Sequence, residues 1–584
     1  MKLDLHIEPI PFEEQVETND HILHLPPLTP EEEEIINPII PPTSGIRMEI
    51  LEKKKEGYRM PFRNQCLFLR VFKGIAQVMR KTLQKDQIHV FMASDDRPTA
   101  DILLEYSARI FAHEGCKLYF QDSDKKDENR FYSRTSAPYA SATVALYKEI
   151  DLIIMITASH NDLIWNGVKF YVELPIPISG DLMKEVSQVA VSLETIELNK
   201  HVTPTYIDAN AKNNAYIREM VAELLDLGKL QGNKVMLWPY LGKAPEIQSL
   251  MESVGMEVEL IEDEKEKPNP TAYIDTDKLE NLMNTKQINV AVLLDADRDR
   301  VVFYVKNEKT NDFVRLTPNQ LYTAMHNILS TEMGLSFLNV RTIPSDPRSD
   351  EKACINFITG VGYKHLGMIL YLLMDQAIDQ SKLNSGILYY KTENGYEKIR
   401  SKAEILQGLQ EHSCAQEKQI MVLWEESGGH TFNIIDFSDS DGELQITSRF
   451  PLIGDKYPAP AILILTTLIE MRYNLLDAID PDLVGDRTMI NANNQQKLEI
   501  INYFAKRSGE TFTVNDFEYT IGSFETLEGQ PTIAYFRANS TEIYLRPSGT
   551  GPGMRIYIFG KEGVYRRQLM EIKEAIQTKF NLPQ

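Results

Sequence analysis

Residues 150–161 read IDLIIMITASHN and combine a buried strand with a polar loop. The first part is almost entirely apolar, which is typical of a strand covered on both faces in a parallel sheet. The loop that follows presents the hydroxyl of Ser159 next to His160. Because ligands bind at the carboxyl ends of parallel strands, this loop is a candidate functional site. An ordinary polar loop with no function has the same composition.

Similar apolar runs alternate with helical patterns on both sides of this segment. Predicted strands are Ile88–Ala93, Leu118–Gln121, Lys234–Trp238, Val290–Leu294 and Ile420–Leu423, and a helix is predicted over Thr99–Glu114. The C-terminal part carries β-branched and aromatic runs, such as Thr532–Phe536, before a terminal helix. The pattern predicts an α/β protein with three related α/β domains built on mixed sheets, and a smaller C-terminal α+β domain.

The length of 584 residues exceeds what one hydrophobic core supports, so several domains are expected. Their boundaries are placed where the alternation of strands and helices begins again. An acidic extension that wraps the fold or stays partly mobile is expected before the domains, and the polar segment 375–419 is interpreted as an elaboration of the third domain. The predicted parts are the extension 1–40, domain 1 over 41–207, domain 2 over 208–313, domain 3 over 314–475 and domain 4 over 476–584.

Composition narrows the class of protein. The net charge of −22 argues against a general nucleic-acid binder, which needs basic surface. The N-terminus lacks the apolar core of a secretory signal, and the most apolar segment, 459–471, is too short to span a bilayer. We therefore expect a cytoplasmic protein with no membrane partner. Its four cysteines are expected to be reduced: Cys66, Cys116, Cys354 and Cys414.

A second polar loop, DADRDR at 295–300, also follows a buried strand. Three alternating carboxylates, Asp295, Asp297 and Asp299, can converge on a hard divalent cation such as Mg²⁺. The alternative is a solvated loop in which Arg298 and Arg300 neutralise the aspartates. The position directly after a buried strand favours the metal site.

Two further loops complete the set. WEESGGH at 424–430 offers Glu425 and Ser427 on a Gly-rich turn, which suits sugar hydroxyls but is equally consistent with a plain turn. RPSGTGPG at 546–553, followed by Arg555, has the arginines and backbone N–H groups that bind a phosphate dianion. A hydroxyl nucleophile, a metal loop, a sugar loop and a phosphate loop together indicate phosphoryl transfer on a sugar phosphate.

These motifs resemble those of the alpha-D-phosphohexomutase superfamily, in the same order along the chain. The four principal matches are TASHND at 157–162, DADRDR at 295–300, EES at 425–427 and RPSGT at 546–550. Secondary matches are TSGIR at 43–47, ASDDR at 93–97, NGVK at 166–169 and VGYK at 361–364. The resemblance extends from about residue 43 to residue 560.

The resemblance implies four domains around a central cleft and a resting enzyme that is phosphorylated on Ser159. Asp295, Asp297 and Asp299 would hold Mg²⁺ together with an oxygen of the phosphoserine. Residues implied to bind the sugar or its phosphate are Glu425, Ser427, Arg546, Ser548, Gly549, Thr550 and Arg555. Arg47 and Arg300 would support the phosphoserine, and the candidates for the general base are, in order, Lys169, His160 and Lys364.

The resemblance favours interconversion of glucose 1-phosphate and glucose 6-phosphate, with glucose 1,6-bisphosphate as intermediate and activator. Mannose or pentose phosphates, a non-catalytic sugar-phosphate binder and a phosphatase are the alternatives, and the oligomeric state stays open. The chain departs from the family pattern at Asp162, where proline is usual, and at Trp424, Gly551 and Tyr457-Pro458. Asp162 is the departure of most concern, because it adds a negative charge near a phosphoryl site.

Overall fold

The computed structural model describes residues 7–8, 16, 20–38, 45–178, 180–307, 309–374, 383–393, 395–412, 414, 419–440, 443–539, 541–548 and 553–583. The chain divides into two compact units. The first contains residues 1–318, 427–436 and 447–473, and the second contains residues 319–426, 437–446 and 474–584. The predicted class, α/β with mixed sheets, is confirmed.

Six strands form the first sheet of the first unit, and its central strands carry the buried apolar runs expected of them. In spatial order they are Thr205–Ile207, Lys117–Gln121, His89–Ser94, Leu152–Ile156, Trp165–Val172 and Ile46–Glu49. The first four are parallel, whereas the last two pair antiparallel. Its helices are Phe62–Leu83, Ala100–His113, Ala137–Leu146, Asp181–Ser192 and Ala209–Ala222. All residues of Leu152–Ile156 are buried, so the Ser159 loop begins at the centre of this sheet.

The second sheet, also in the first unit, has the spatial order Glu257–Leu260, Lys234–Pro239, Val290–Leu294, Val301–Lys306 and Phe313–Leu316. Helices Pro245–Ser253 and Thr276–Lys286 connect its strands. Helix Ala459–Glu470 joins this unit from much later in the chain. Two tyrosines anchor the returning segment: the Tyr171 hydroxyl donates to Asp455 Oδ2 at 2.6 Å, and the Tyr457 hydroxyl donates to Asn213 Oδ1 at 2.6 Å.

Part of the acidic extension wraps the first unit. Strand Ile22–His24 pairs antiparallel with Thr195–Glu197, and helix Pro30–Ile36 follows. Thr29 and Glu32 form a capping box that satisfies the first N–H groups of this helix. Smaller strands in this region are Ile7–Glu8, Glu52–Lys53 and Tyr58–Arg59.

The third and fourth sheets complete the molecule. The third has the order Gly395–Lys398, Leu388–Thr392, Ile355–Thr359, Phe337–Thr342, Gln419–Trp424, His430–Ser440 and Glu443–Thr447, with helices Pro318–Thr331, Tyr363–Leu366, Met368–Leu373 and Lys402–Glu411. The fourth has the order Leu483–Ile490, Met554–Lys561, Thr541–Pro547, Pro531–Ala538, Phe517–Glu525 and Thr511–Val514, with helices Asn494–Ala505 and Tyr565–Lys579. Every strand pair of the fourth sheet is antiparallel.

The segment interpreted as an elaboration contains a β-hairpin, residues 388–398, that packs on the fourth sheet within the second unit. Its Tyr389 hydroxyl accepts the Glu525 N–H at 2.8 Å and donates to the Glu525 carbonyl at 3.3 Å. Lys391 lies between Asp350 at 2.8 Å and Glu542 at 3.1 Å. The hairpin therefore attaches the third sheet to the fourth.

The expectation that all four cysteines are reduced is wrong for two of them. Cys354 and Cys414 form a disulfide across 60 residues of sequence, because the fold brings the residues before strands Ile355–Thr359 and Gln419–Trp424 to within 5.9 Å, Cα to Cα. Cys66 and Cys116 are free thiols. Within the described part of the chain, each helix is too short or too polar to cross a lipid bilayer.

Candidate active site

The serine loop, residues 157–161, is held in a defined conformation. Ser159 is buried and has a positive φ of 55°, in the left-handed region that non-glycine residues rarely occupy. Its N–H donates to the Thr157 side-chain oxygen at 2.8 Å, and its Oγ lies 3.4 Å from His160 Nδ1. The loop thus fixes the backbone of the candidate nucleophile and places an imidazole beside its hydroxyl.

A buried ion pair supports this loop from the neighbouring strand. Arg97 Nε donates to Asp95 Oδ2 at 3.2 Å, and the Thr157 hydroxyl donates to the same oxygen at 2.6 Å. The Arg97 guanidinium also donates to four backbone carbonyls, those of Ser159, Asn161, Asp162 and Trp165. The sequence singles out the DDR tripeptide after a strand but gives it no role, because backbone carbonyl partners cannot be read from residue types.

Asp162, the departure of most concern, points away from the nucleophile's hydrogen bonds. Its carboxylate is 46% exposed and lies 3.7 Å from Lys267 Nζ, while its carbonyl accepts from Arg97. A partly solvated carboxylate next to a lysine interacts weakly with other charges. The side chain therefore does not crowd the serine loop.

The carboxylate triad, Asp295, Asp297 and Asp299, follows strand Val290–Leu294, and all three side chains are buried. One oxygen from each lies within 4.8 Å of the others. Each aspartate also has one buried oxygen that accepts no hydrogen bond from the described residues. Burial and the two neighbouring carboxylates raise the pKa of Asp295. Three converging carboxylates that also retain unsatisfied oxygens fit a divalent cation with oxygen ligands.

Cationic side chains surround the triad. Lys169 Nζ donates to Asp297 Oδ2 at 2.8 Å and to Asp299 Oδ2 at 2.9 Å. Burial alone would lower the pKa of Lys169, but these two carboxylates outweigh it and raise that pKa. Lys456 lies 3.5 Å from Asp299, a contribution that the sequence did not indicate because Lys456 is distant in the chain.

The triad and the serine loop form one electrostatic group. Burial, followed by the positive charges of Arg300 and Arg47, lowers the pKa of His160 to about 2, and Asp299 opposes this shift. His160 is therefore a neutral imidazole at neutral pH. Arg300, predicted to support the phosphoserine, lies with its Nε 3.5 Å from Asp299 Oδ1, against a carboxylate of the triad.

Arg47 reaches this group because of a glycine. Strand Ile46–Glu49 pairs with Trp165–Val172 so that Arg47 lies opposite Gly167. A Cβ at Gly167 would lie 2.4 Å from the Ile46 carbonyl oxygen and 2.9 Å from Arg47 Cγ. Only glycine allows the two strands to approach this closely.

In the second unit, Glu425 and Glu426 of the predicted sugar loop form a separate group of charges with Arg546 and Lys364. Glu425 is buried, and burial together with the Glu425 charge raises the pKa of its neighbour Glu426. Burial, with the nearby Arg546, lowers the pKa of Lys364. Trp424 belongs to the core beneath them, where its indole N–H donates to Asn339 Oδ1 at 2.9 Å.

The described part of the phosphate loop is anchored by a buried lysine. Ser548 N–H donates to the Gly553 carbonyl at 3.0 Å, and the Ser548 carbonyl accepts from Lys497 Nζ at 3.1 Å. Arg546 and Arg555 lie directly opposite each other on paired strands. Gly549 and Thr550 lie outside the described residues. Lys497 was not predicted, since nothing near it in the sequence marks a site.

The predicted residues therefore fall into two groups. The first unit brings together Arg47, Ser159, His160, Lys169, Asp295, Asp297, Asp299 and Arg300, and it also contains Ser427. The second unit contains Lys364, Glu425, Arg546, Ser548 and Arg555.

Known proteins resemble this chain in sequence and fold. A family model described as phosphoglucomutase/phosphomannomutase, alpha/beta/alpha domain I, matches residues 39–196. A phosphoglucomutase from Staphylococcus saprophyticus is 24% identical over 267 residues, which cover 42% of this chain and 46% of that relative. The match therefore spans less than half of the relative's length.

Two solved structures share the fold along nearly the whole chain. The exocytosis-sensitive phosphoprotein parafusin, a phosphoglucomutase from Paramecium, aligns in its open form with a TM-score of 0.61 and 14% identity, covering 96% of this chain and 97% of its own. A phosphoglucomutase/phosphomannomutase family protein from Burkholderia thailandensis aligns with a TM-score of 0.58 and 12% identity, covering 94% and 99%. These likenesses show that the chain shares the fold of the two proteins, and the family model matches its domain I region alone.

Proposed function

We propose that this chain is a phosphohexomutase that interconverts glucose 1-phosphate and glucose 6-phosphate through a phosphoserine at residue 159. The observation that carries the proposal is the pairing, in one electrostatic group, of a conformationally fixed serine with three buried carboxylates that have unsatisfied oxygens. A hydroxyl beside a cation site is the arrangement that phosphoryl transfer requires.

The proposed reaction has two transfers. The bond between Ser159 Oγ and phosphorus breaks while a sugar hydroxyl oxygen bonds to the same phosphorus, which gives glucose 1,6-bisphosphate and a free serine. After the bisphosphate reverses its orientation, Ser159 Oγ loses its proton and attacks the other phosphorus. The bond from that phosphorus to its sugar oxygen breaks, this oxygen takes up a proton, and glucose 6-phosphate leaves as the phosphoserine is regenerated. Most of the rate enhancement comes from positioning and from compensation of the phosphoryl charge by Arg47 and Arg300.

The carboxylate triad would hold Mg²⁺, whose charge would stabilise the oxygens of the transferring group. The sugar hydroxyl must release a proton as it attacks. Lys169, His160 and Lys364 remain the candidates for the base. Lys169 is bound by two carboxylates, whereas the lowered pKa of Lys364 favours the neutral amine. Single substitutions at these positions, each followed by a pH profile of kcat, separate the three candidates.

We propose that Glu425 and Ser427 recognise sugar hydroxyls and that Arg546, Ser548 and Arg555, together with Gly549 and Thr550, bind the phosphate that does not react. The EES sequence at 425–427 resembles the corresponding loop of phosphoglucomutases, which favours glucose over mannose. Because the phosphate loop must accept either end of the bisphosphate, adaptable arginine and backbone donors suit it.

A coupled dehydrogenase assay tests the proposal directly. Wild-type protein with Mg²⁺ and a trace of glucose 1,6-bisphosphate should convert glucose 1-phosphate to glucose 6-phosphate, and Ser159→Ala should reduce turnover to background. Parallel assays with mannose 1-phosphate and pentose 1-phosphate measure the preference. Release of inorganic phosphate without dependence on bisphosphate would instead indicate a phosphatase, and no turnover on any sugar phosphate would contradict an enzymatic role.

A further inference from the structure

We infer that Arg97 is the positioning residue of the serine loop: its guanidinium sets the backbone geometry from which Ser159 reacts. The inference rests on the proposed function for its kinetic consequences. Its structural part stands on the contacts of Arg97 alone. Arg97 touches neither the carboxylate triad nor the sugar loop in the described contacts, so it acts through the loop.

All five N–H donors of the guanidinium are used. Nε donates to Asp95 Oδ2 at 3.2 Å. One terminal nitrogen donates to the carbonyls of Ser159 and Asn161, both at 2.6 Å. The other donates to the carbonyls of Asp162 and Trp165, both at 2.8 Å. The planar fork of arginine is the only side chain that can hold so many acceptors in one plane.

The contacts fix the residue that carries the nucleophile. A left-handed backbone at a non-glycine residue such as Ser159 is strained and persists only where its surroundings enforce it. Arg97 donates to the carbonyl of Ser159 itself, and the Thr157 side-chain oxygen accepts the Ser159 N–H at 2.8 Å. Asp95 connects the two, since it accepts from both Arg97 and Thr157.

The burial of this group makes it rigid. Asp95, Arg97 and Thr157 are each fully buried, at 0% exposure. Hydrogen bonds between buried charges and carbonyls are strong, because no water competes for the donors. Loss of the fork should therefore allow the serine loop to leave the left-handed conformation and move Ser159 Oγ from its position.

The test compares Arg97→Lys with a matched control, Arg70→Lys. Arg70 is also buried in the first unit, and its guanidinium also donates to backbone carbonyls, those of Pro26, Ala190 and Leu193. Lysine supplies only three donors from one nitrogen, so both variants lose carbonyl contacts. Only one of the two losses lies at the serine loop.

Three readouts are measured on the full-length chain: kcat and KM for glucose 1-phosphate, the occupancy of phosphoserine by intact mass after incubation with glucose 1,6-bisphosphate, and hydrogen exchange of peptides covering residues 157–166. For Arg97→Lys we expect kcat to fall by about tenfold or more with KM nearly unchanged, lower phosphoserine occupancy and faster exchange in this peptide. Arg70→Lys should lower thermal stability while leaving all three readouts close to wild type.

Two results would overturn the inference: an Arg97→Lys variant whose kcat and exchange match the wild type, or equal losses of kcat in Arg97→Lys and Arg70→Lys. If Arg97→Lys fails to fold, Thr157→Val removes the link between Asp95 and the Ser159 N–H and is judged by the same readouts. If the wild type turns over no hexose phosphate, the proposed function fails, and the exchange of residues 157–166 still decides the positioning role.

Discussion

Lys169 places a positive charge against the carboxylate triad, where a bound divalent cation would add further positive charge. Its ammonium pairs with Asp297 and Asp299, and all three groups are buried. We predict that Lys169→Met lowers the free energy of unfolding by about 3 kcal/mol when divalent cations are removed, because two buried carboxylates lose their partner. Added Mg²⁺ should restore part of this loss. Urea unfolding in EDTA measures the loss of stability, and urea unfolding in Mg²⁺ measures how much of it is restored.

The matched control is Lys391→Met in the second unit. Lys391 also lies between two carboxylates, Asp350 and Glu542, but that group shows no convergent set of metal ligands among the described residues. Lys391→Met should lower the free energy of unfolding by a similar amount, and added Mg²⁺ should not change this loss. Equal responses of the two variants to Mg²⁺ would count against a cation site at the triad.

His326 should make the protein sensitive to acid. Burial between the rings of Phe337 and Trp424 lowers the pKa of His326 to about 3. The unfolded chain, with an ordinary histidine pKa of about 6.5, binds the proton more readily. Stability is therefore unaffected above that pH and falls by up to about 1.4 kcal/mol per pH unit as the pH drops from 6.5 toward 3.

Comparison with His326→Phe isolates this contribution. The difference in unfolding free energy between wild type and variant should shift in favour of the variant as the pH falls from about 6.5 to 5. His113→Gln, at an exposed position, provides the control. A difference that does not change with pH would show that His326 is protonated equally in both states.

At the scale of residues, the sequence indicated the side chains that we propose to carry the chemistry, but it did not indicate the groups that hold them in place. Ser159 and the triad each follow an apolar strand, so the position of each loop at the carboxyl end of its strand is predictable. The Arg97 contacts are made to backbone carbonyls, and Lys456 arrives from a distant segment. Neither the hydrogen bonds of Arg97 nor the ion pair of Lys456 can be predicted from the residue types nearby in the sequence.

At the scale of elements, the hairpin 388–398 is the main addition to the predicted fold. The Glu525 N–H, at the end of a strand of the fourth sheet, donates to the Tyr389 hydroxyl of this hairpin. Among the described residues, no other side chain accepts from this N–H. We predict that Tyr389→Phe lowers the free energy of unfolding by about 1–2 kcal/mol, because this N–H loses its acceptor. Faster hydrogen exchange at Glu525 should accompany the loss.

Tyr535→Phe is the control for this substitution. Tyr535 packs in the same aromatic cluster, with its ring 4.9 Å from Phe524, and none of the described residues is hydrogen-bonded to its hydroxyl. Its removal should change stability by only a few tenths of a kcal/mol. Equal effects of the two substitutions would assign the loss to packing instead of the hydrogen bond.

Buried strands were predictable and half-exposed ones were not. Val290–Leu294 appears at the predicted bounds because every residue in it is apolar. The hairpin strands Leu388–Thr392 and Gly395–Lys398 are short and partly polar, so their sequence resembles a loop. Their stability comes from packing on the fourth sheet, a long-range contact that local pattern does not encode.

At the scale of the whole molecule, the disulfide Cys354–Cys414 closes a loop across 60 residues of the second unit. In the chain-entropy model, opening such a loop costs about 4 kcal/mol of stability. We predict that Cys354→Ser lowers the urea midpoint by the same amount as adding a reductant to the wild type. A reductant should have no further effect on the variant.

Thiol titration in denaturant gives an independent check. Without reductant, the wild type should show two reactive thiols, Cys66 and Cys116. Four thiols would contradict the disulfide. The pairing was not predictable from the sequence, because 60 intervening residues say nothing about the distance between the two cysteines in the fold.

The interleaving of the two units has a consequence for synthesis. The ribosome completes residues 1–318 first, yet the first unit also needs residues 427–436 and 447–473. Until those residues emerge, Tyr171 and Asn213 lack Asp455 and Tyr457 as partners, and Asp299 lacks Lys456. A nascent chain therefore carries Ser159 and the carboxylate triad long before it can complete their surroundings, so the candidate site is completed late in translation.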